Sequence, residues 1–267
     1  MRGNERVLLS NREESGVATS RSMPAWKRSL DVGAILVSLP LLVPVMLLLA
    51  GLIKCLSRGP VFFRQERVGH QGRRFVCCKF RTMKLNADTE DHRQHLVELM
   101  RSDAPMVKLD AKGDHRLIPL GSFLRATGLD ELPQLFNVVR GEMSIVGPRP
   151  CLPYEYENYH PRQKRRFEAV PGLTGLWQVS GKNKTTFAEM INLDVFYAEN
   201  QSFGLDVAIM LRTPLALISQ VVEVWGNKEV APEGSSGNPT PPPRGETYSR
   251  TRRTVGSRRV AESVYSR

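Results

Sequence analysis

The sequence has few cysteines and few aromatic residues. Four of its 267 residues are cysteine and 7% are Phe, Trp or Tyr. No two cysteines have the CxxC spacing and none has zinc-ligand spacing, which argues against a zinc module and a disulfide framework. The adjacent Cys77 and Cys78 are poorly placed for a structural disulfide, and we interpret the cysteines as reduced thiols of a cytoplasmic domain.

Acidic residues are also in deficit. The chain has 38 Lys and Arg against 27 Asp and Glu, a net charge of +11. This excess implies an anionic partner, which is a nucleic acid, an anionic membrane surface or a phosphorylated substrate. A mean hydropathy of −0.29 excludes a polytopic channel or transporter. The apolar content of 41% is typical of a folded domain.

Both ends of the chain lack apolar periodicity. Residues 1–26 mix Arg, Glu, Ser and Gly, and residues 227–267 are rich in Pro, Gly, Ser and basic side chains. Such composition cannot bury enough apolar surface to fold, so we predict a disordered N-terminal arm and a disordered basic tail. The folded part is then a membrane anchor at residues 27–56 and a globular domain at residues 57–226.

Charge is absent from Val32 to Ile53. As a straight helix, at roughly 1.5 Å per residue, this run is about long enough to cross a bilayer. Pro40 and Pro44 each remove a backbone donor near its middle, which predicts a broken helix that can enter and leave by the same face. A cleaved signal is disfavoured because no small-x-small site closes the run.

The flanks of the apolar run are both basic. Between Lys54 and Lys84 there are nine Lys or Arg and one acid, Glu66. The positive-inside rule places this cluster, and with it the globular domain, in the cytoplasm. Because residues 1–30 are basic as well, a re-entrant anchor is at least as consistent with the sequence as a full crossing, and both alternatives stay open.

The globular domain reads as α+β, mostly helical with a small β-hairpin. Val61–Val68 and Arg73–Phe80 alternate like strands and are joined by Gly69–Gly72, a short turn. Apolar periodicity and end signals predict five helices. They cover Ala87–Arg101, Gly121–Arg125, Asp130–Val139, Phe187–Ala198 and Leu205–Val224.

Asp130 and Glu131 are the first candidates for chemistry. One interpretation is structural, with Asp130 as a helix N-cap and Glu131 in the first turn. The other is functional, because carboxylates at a positive helix end stay ionised, so that one can act as a nucleophile or both can hold Mg²⁺. The dipeptide alone favours the capping interpretation.

Three basic residues are candidate phosphate ligands. Pro148 and Pro150 fix the backbone around Arg149, which presents its fork at low entropic cost, although pairing with a nearby acid is the simpler expectation. Lys79 and Arg81 lie on one face of a strand and suit phosphate, a lipid headgroup or solvent equally.

Two further features allow a functional or a structural interpretation. The glycine-rich segment 171–181 suits close backbone approach to a nucleotide or sugar, or is a tight turn around a core tryptophan. Asp194 and Asp206 are lone helical acids, which are usually solvated or capping but can serve as metal or sugar ligands.

Together these motifs resemble the bacterial sugar transferase family, monotopic phosphoglycosyl transferases that act on polyprenyl phosphate. The resemblance covers about residues 27–218 and is of the small form. It rests on the order and spacing of KRSLD, RVGHQGRRFVCCKFRTM, LIPLGSFLRATGLDELPQLFNVVRGEMSIVGPRP, PGLTGLWQVSGKN and LDVFYAEN.

The resemblance implies an activity, a location and partners. It implies transfer of a sugar-1-phosphate, of the hexose-1-phosphate type, from a UDP-sugar to undecaprenyl phosphate with Mg²⁺, as the first step of exopolysaccharide or other glycan synthesis. The donor phosphorus is attacked by Asp130, which forms a covalent aspartyl phospho-sugar. The protein would lie on the cytoplasmic face of the bacterial inner membrane, with a re-entrant anchor. A homodimer is compatible with this assignment, and a nucleic-acid partner is not expected.

The resemblance also assigns roles to individual residues. Asp130 is the nucleophile, and Glu131 shares the metal with it or deprotonates the lipid phosphate. The residues expected to bind substrate are Lys79, Arg81, Arg125, Pro148, Arg149, Asp194 and Asp206. The alternative from another class is an inactive adaptor that binds anionic lipid or partner proteins at the membrane surface.

Overall fold

The computed structural model of the chain describes residues 23–85, 90–102, 104–106 and 116–226. The predicted arm, apart from residues 23–26, and the predicted tail at 227–267 lie outside this part of the chain. Residues 25 and 26 belong to the first helix rather than to the arm.

The described elements are mostly helical, with two small pairs of strands. In chain order they are α1 (Ala25–Leu56), β1 (Phe62–Val68), β2 (Arg74–Phe80), α2 (Glu90–Arg101), α3 (Gly121–Thr127), α4 (Leu135–Arg140), β3 (Ser144–Val146), α5 (Pro153–Glu157), α6 (Pro161–Lys164), β4 (Gly172–Thr174), α7 (Leu176–Val179), α8 (Phe187–Glu199) and α9 (Phe203–Gly226). Single 3₁₀ turns occupy His70–Gly72, Leu129–Gln134, Arg165–Glu168 and Lys182–Lys184. The α+β class is confirmed.

The predicted hairpin is confirmed. β1 and β2 pair antiparallel from Phe62↔Phe80 to Val68↔Arg74. The chain reverses through a 3₁₀ turn in which Gln71 and Gly72 have φ of 56° and 73°. Glycine suits the second position because a Cβ there would lie 2.7 Å from the Tyr156 hydroxyl.

The sequence does not predict a second, parallel pair of strands that the structure contains. β3 and β4 pair through Ser144↔Gly172 and Val146↔Thr174. Each strand has only three residues, too short to show an alternating pattern. Gly147 and Gly172 allow close backbone contact beside this pair. A Cβ on Gly147 would lie 2.2 Å from the Val170 carbonyl oxygen.

The apolar helix α1 continues through both prolines, where the sequence predicts a break. Proline keeps a φ that fits a helix and removes only its own donor, so the helical backbone persists around Pro40 and Pro44. Both ends of α1 pack against the domain. Ile35 is buried in a cluster with Val138 and Met143, and Ile53 is buried in another with Phe80 and Leu124.

Between these two contacts α1 buries little of its surface. No residue from 36 to 48 is fully buried. Val45 and Met46 are partly buried and pack against the cluster of Ile53 and Phe80. Most apolar side chains in the middle of α1 are therefore exposed on a helix that contacts the domain near both of its ends.

A buried polar junction fixes the start of α1. Lys27 and Asp206 form an ion pair, with exposed side-chain fractions of 0% and 1%, and Lys27 also donates to the Tyr197 hydroxyl at 2.8 Å. One turn later Asp31 accepts from the Ser144 hydroxyl and from the backbone N–H of Ile145, at 3.0 Å each. These contacts join α1 to α8, α9 and β3.

The main core lies between α8, α9 and the segments that precede them. Its largest fully buried members include Tyr197, Leu176, Met190 and Ile209. Trp177 belongs to the same core, 5% exposed, and donates its indole N–H to Thr185 at 2.6 Å.

Helix α9 buries one face and exposes an apolar row on another. Leu211, Leu215, Ile218 and Val222 are each at least 60% exposed, and their spacing of four, three and four residues places them on one side of the helix. Among the described residues, two helices are long and apolar enough to cross a membrane by length and composition, Ala25–Leu56 and Phe203–Glu223.

We expect Gly147→Ala to destabilise the domain. The added Cβ would collide with backbone atoms of residues 170–172 and force β3 from β4, a cost of about 1–3 kcal/mol or more. The melting temperature should fall by roughly 2–12 °C in a thermal unfolding experiment. Gly204→Ala is the control, because its Cβ meets nothing within 4 Å. Equal melting temperatures for the two variants would contradict the close approach.

Candidate active site

Asp130 and Glu131 lie in a 3₁₀ turn, Leu129–Gln134, that follows Gly128. Gly128 occupies the N-cap position with φ of 72°, and no side chain caps the turn. The interpretation of Asp130 as an N-cap is therefore wrong, because the left-handed glycine starts the turn earlier in the chain. Asp130 is 9% exposed, and 39% of the Glu131 side chain is exposed.

Asn137 holds the Asp130–Glu131 segment against β2. Its side-chain amide donates to the Val76 carbonyl at 2.8 Å and accepts from the Cys78 N–H at 3.2 Å, as a neighbouring strand would. The residue is 1% exposed. An asparagine inside the apolar predicted helix Asp130–Val139 was the signal for this role, and the sequence analysis missed it.

The structure brings Lys79 to the carboxylate pair. Its ammonium group lies 2.6 Å from a carboxylate oxygen of Glu131, with 25% of the lysine side chain exposed. Lys79 belongs to β2, the same strand that Asn137 extends. The ion pair places the Lys79 ammonium group beside Glu131, where both side chains are partly exposed.

The loop 147–150 is held on two sides by backbone contacts. Gly172 donates its N–H to the Pro148 carbonyl at 2.9 Å, and Arg67 of β1 donates to the Pro150 carbonyl at 3.2 Å. Arg149 pairs with Glu155 at 3.1 Å, which confirms the expectation that it finds a nearby acid, yet 23% of its side chain stays exposed.

Arg67 links this loop to the carboxylate segment electrostatically. Burial is the main cause that lowers the pKa of Arg67, and the positive charge of Arg149 lowers it further, whereas Glu155 and Glu131 act in the opposite direction. Arg67, which the sequence analysis missed, therefore lies within electrostatic range of the loop and of Glu131.

Other predicted ligands have structural partners. Arg81 is 4% exposed and donates to the backbone carbonyls of Ser57 and Arg58 at 3.0 and 2.7 Å, so it fixes the exit of α1 rather than pointing with Lys79. Asp206 pairs with Lys27. Their roles as substrate ligands stay predictions that this geometry does not favour.

Asp194 and Arg125 lie on helices α8 and α3. Asp194 is 1% exposed and ion-paired with Arg166, and burial raises its pKa to about 6 despite this cation. Arg125 is in the last turn of α3, whose carbonyls at Arg125 and Ala126 accept from Gln220 of α9 at 3.5 and 3.1 Å. The substrate role of Arg125 stays a prediction.

The glycine-rich segment has the structural role that the sequence analysis gave as its alternative. Trp177 is a core residue, so its ring is not available for stacking on a ligand. The glycines allow backbone contact instead, since a Cβ on Gly175 would lie 2.2 Å from the Gly147 carbonyl oxygen. This contact braces the loop that carries Arg149.

The donor set agrees with Mg²⁺ bound together with a substrate. Within the described residues no three His, Cys, Asp or Glu side chains form a cage for a metal ion. Mg²⁺ commonly takes one or two carboxylates and completes its shell with water and substrate phosphates. Asp130 and the half-exposed Glu131 fit that mode.

The fold and the site define a class of protein. An apolar helix is joined to an α+β domain that carries two ion pairs, Lys79 with Glu131 and Arg149 with Glu155, and such groups suit phosphate chemistry. The comparisons agree. The family described as "Bacterial sugar transferase" matches residues 22–220.

Three relatives illustrate the similarity. The chain is 41% identical to exopolysaccharide production protein ExoY of Sinorhizobium fredii over 70% of this chain and 83% of that protein. It is 40% identical to the UDP-galactose-lipid carrier transferase of Erwinia amylovora, of which it spans only 39%. It is 39% identical to the UDP-glucose:undecaprenyl-phosphate glucose-1-phosphate transferase of Caulobacter vibrioides over 72% of this chain and 70% of that protein.

The chain belongs to the bacterial sugar transferase family. The resemblance drawn from its motifs, and the identification of an enzyme, are confirmed.

We expect Asn137→Ala to destabilise the site. The Val76 carbonyl and the Cys78 N–H would lose their partner, which lowers the free energy of unfolding by about 2 kcal/mol. Asn158→Ala is the matched control, since Asn158 is exposed and bonds only locally to the Tyr154 carbonyl. Thermal unfolding of both variants measures the difference, and equal stability would show that the amide does not support β2.

Proposed function

We propose that the protein transfers a hexose-1-phosphate from a UDP-sugar to undecaprenyl phosphate through a covalent phospho-sugar on Asp130. The observation that carries the proposal is the ion pair of Lys79 with Glu131 directly beside Asp130. It supports the proposal because a lysine that can bind phosphate is paired with the residue next to a carboxylate that can act as a nucleophile.

The first displacement occurs at the phosphorus that bears the sugar. A carboxylate oxygen of Asp130 forms a bond to this phosphorus, the bond from phosphorus to the bridging oxygen breaks, and UMP leaves with that oxygen. Lys79 and Arg149 hold the phosphate oxygens. Their positive charges offset the repulsion between the negatively charged carboxylate and diphosphate.

The second displacement regenerates the enzyme. An oxygen of the lipid phosphate attacks the same phosphorus, and the bond to Asp130 breaks, which yields the lipid-linked diphosphate sugar. Glu131 accepts the proton of a monoprotonated lipid phosphate, and its half-exposed carboxylate suits an acceptor that arrives from outside. The charge on Asp130 is restored as it leaves.

Asp130 and Glu131 are also the residues that would hold Mg²⁺. The ion would supply positive charge that neutralises the diphosphate of the donor.

The identity of the sugar follows the names of the relatives. Two of them are named for galactose and for glucose, with a lipid carrier or undecaprenyl phosphate as acceptor. A hexose-1-phosphate is therefore the donor group that we propose, and exopolysaccharide synthesis, named for the relative of Sinorhizobium fredii, is the pathway class.

A re-entrant anchor on the cytoplasmic face of the inner membrane accounts for the shape of α1. Both ends of α1 contact the domain while none of residues 36–48 is fully buried, which supports insertion and return on one side. The exposed apolar row of α9 gives the domain a second surface for the lipid interface. The site then sits near the headgroups, where the acceptor phosphate lies.

We expect Asp130→Asn to abolish UMP release. The amide is neutral and a poor nucleophile, so the purified protein in nanodiscs with Mg²⁺, undecaprenyl phosphate and UDP-glucose or UDP-galactose should lose activity by at least about 10³-fold. Glu168→Gln is the matched control, because Glu168 is an exposed acid that pairs only with Arg165 and should stay fully active.

The adaptor alternative gives the opposite outcome. If the folded wild-type protein releases no UMP from a panel of UDP-sugars, or if Asp130→Asn retains activity, the proposed function is wrong. An adaptor would bind anionic vesicles equally well with either residue at position 130.

The topology of α1 has its own test. We expect Cys55, and a cysteine introduced as Ala25→Cys in a Cys55→Ser background, to react with an impermeant maleimide from the same side of sealed membrane vesicles. Both positions are exposed at opposite ends of α1. Leu41→Cys in the same background, near the middle of α1, should stay protected in the bilayer. Labelling of the two ends from opposite sides would establish a full crossing.

A further inference from the structure

Glu155 and its buried neighbours form a network behind Arg149. Glu155 is fully buried, and its carboxylate accepts from Arg149 at 3.1 Å, from the Leu152 N–H at 2.9 Å and from the Tyr159 hydroxyl at 3.2 Å. Arg149 and Leu152 belong to the segment 147–152, and Tyr159 lies between α5 and α6. The carboxylate is thus held in place by three donors.

The network continues away from the surface. Arg166, fully buried, donates to the Tyr159 hydroxyl at 2.8 Å and forms an ion pair with Asp194. It also donates to the backbone carbonyl of Arg149 at 2.8 Å. Arg149 is therefore held by its carbonyl and by its guanidinium group at the same time.

Stability alone is a weak reason for this arrangement. The attraction within a buried ion pair offsets the cost of desolvating its charges only when the geometry is excellent. Well-packed apolar residues often stabilise a core equally well. Of the four charged members, Glu155, Arg166 and Asp194 are at most 1% exposed, and Arg149 alone reaches the surface, with 23% of its side chain. The network ends at Arg149, which is the part-exposed member of the four.

The electrostatics of the pair agree with a fixed, fully ionised arginine. Burial by itself raises the pKa of Glu155, but the charges of Arg149 and Arg67 and the Leu152 N–H outweigh it, so the pKa lies below its ordinary value. Burial opposes the charge on Arg149, and Glu155 and Tyr159 more than compensate, so its pKa is raised. Both partners remain charged across the neutral range.

We propose that Glu155 is a positioning residue that orients the guanidinium group of Arg149 toward the diphosphate of the nucleotide-sugar donor. The inference rests on the proposed function, because it takes a phosphate group as the ligand of Arg149. A pre-oriented fork loses less side-chain entropy when it binds phosphate. Glu155 acts through Arg149 and does not touch the substrate.

The experiment compares Glu155→Gln with the wild-type protein in nanodiscs. Glutamine keeps the volume and an acceptor for Leu152 but removes the charge that orients Arg149. We expect the KM for the UDP-sugar and the Kd for UDP, measured by calorimetry, to rise about tenfold. The kcat should change less than about threefold and the KM for undecaprenyl phosphate should not change, a split that general loosening of the fold would not produce.

Two comparisons make the test specific. Glu157→Gln, on the same helix but 67% exposed, should behave as wild type. In an Arg149→Gln background, Glu155→Gln should have no further effect on the Kd for UDP, since the residue acts through Arg149. If Glu155→Gln does not fold, Tyr159→Phe, which removes one donor to Glu155, should raise the Kd about threefold and lose this effect in the same background.

Each result of these experiments either supports or overturns the positioning role of Glu155. An unchanged Kd in folded Glu155→Gln, an equal effect with and without Arg149, or a fall in kcat alone overturns the positioning role while the proposed function stands. Wild-type protein that binds no UDP and releases no UMP overturns the proposed function, and the positioning role with it.

Discussion

The buried ion pair of Lys27 with Asp206 joins the two parts of the molecule. Removing both charges from water costs several kcal/mol per ion, and only good geometry offsets that cost. The Tyr197 hydroxyl supplies it, because it accepts from Lys27 and lies 2.7 Å from Asp206 and 3.1 Å from the Val146 carbonyl. Val146 directly precedes the loop that carries Arg149. One polar junction therefore links the apolar helix to the strand that positions the site.

The far end of α1 is tied to the other half of the site. Arg81 holds the carbonyls that follow α1, and it directly follows β2, the strand of Lys79. Both ends of the apolar helix thus meet elements that carry site residues. The transfer that we propose, from a water-soluble donor to a lipid-borne phosphate, needs its reacting groups at a fixed height above the bilayer. A rigid connection at both ends of α1 would provide that height.

The sequence predicted the hairpin and the helices α8 and α9, because each has a local pattern, and its motifs made the Asp130–Glu131 pair a candidate for chemistry. It missed what depends on contacts between distant segments. The parallel pair β3 and β4 is too short to show periodicity, and Asn137, Glu155 and Arg67 owe their roles to partners that only the fold brings near. Motif resemblance grouped Arg81, Asp194 and Asp206 with the substrate ligands, whereas burial and ion pairing give them structural partners.

Covalent capture at Asp130 is the central claim, and mass spectrometry of the protein tests it most directly. The protein in nanodiscs is incubated with Mg²⁺ and the donor UDP-sugar while the lipid acceptor is withheld, then quenched and digested. We expect the peptide that contains Asp130 to gain the mass of one sugar phosphate, and undecaprenyl phosphate added before the quench to remove it. An unmodified peptide from protein that forms the lipid-linked product when the acceptor is present would show direct transfer from donor to lipid and contradict the covalent route.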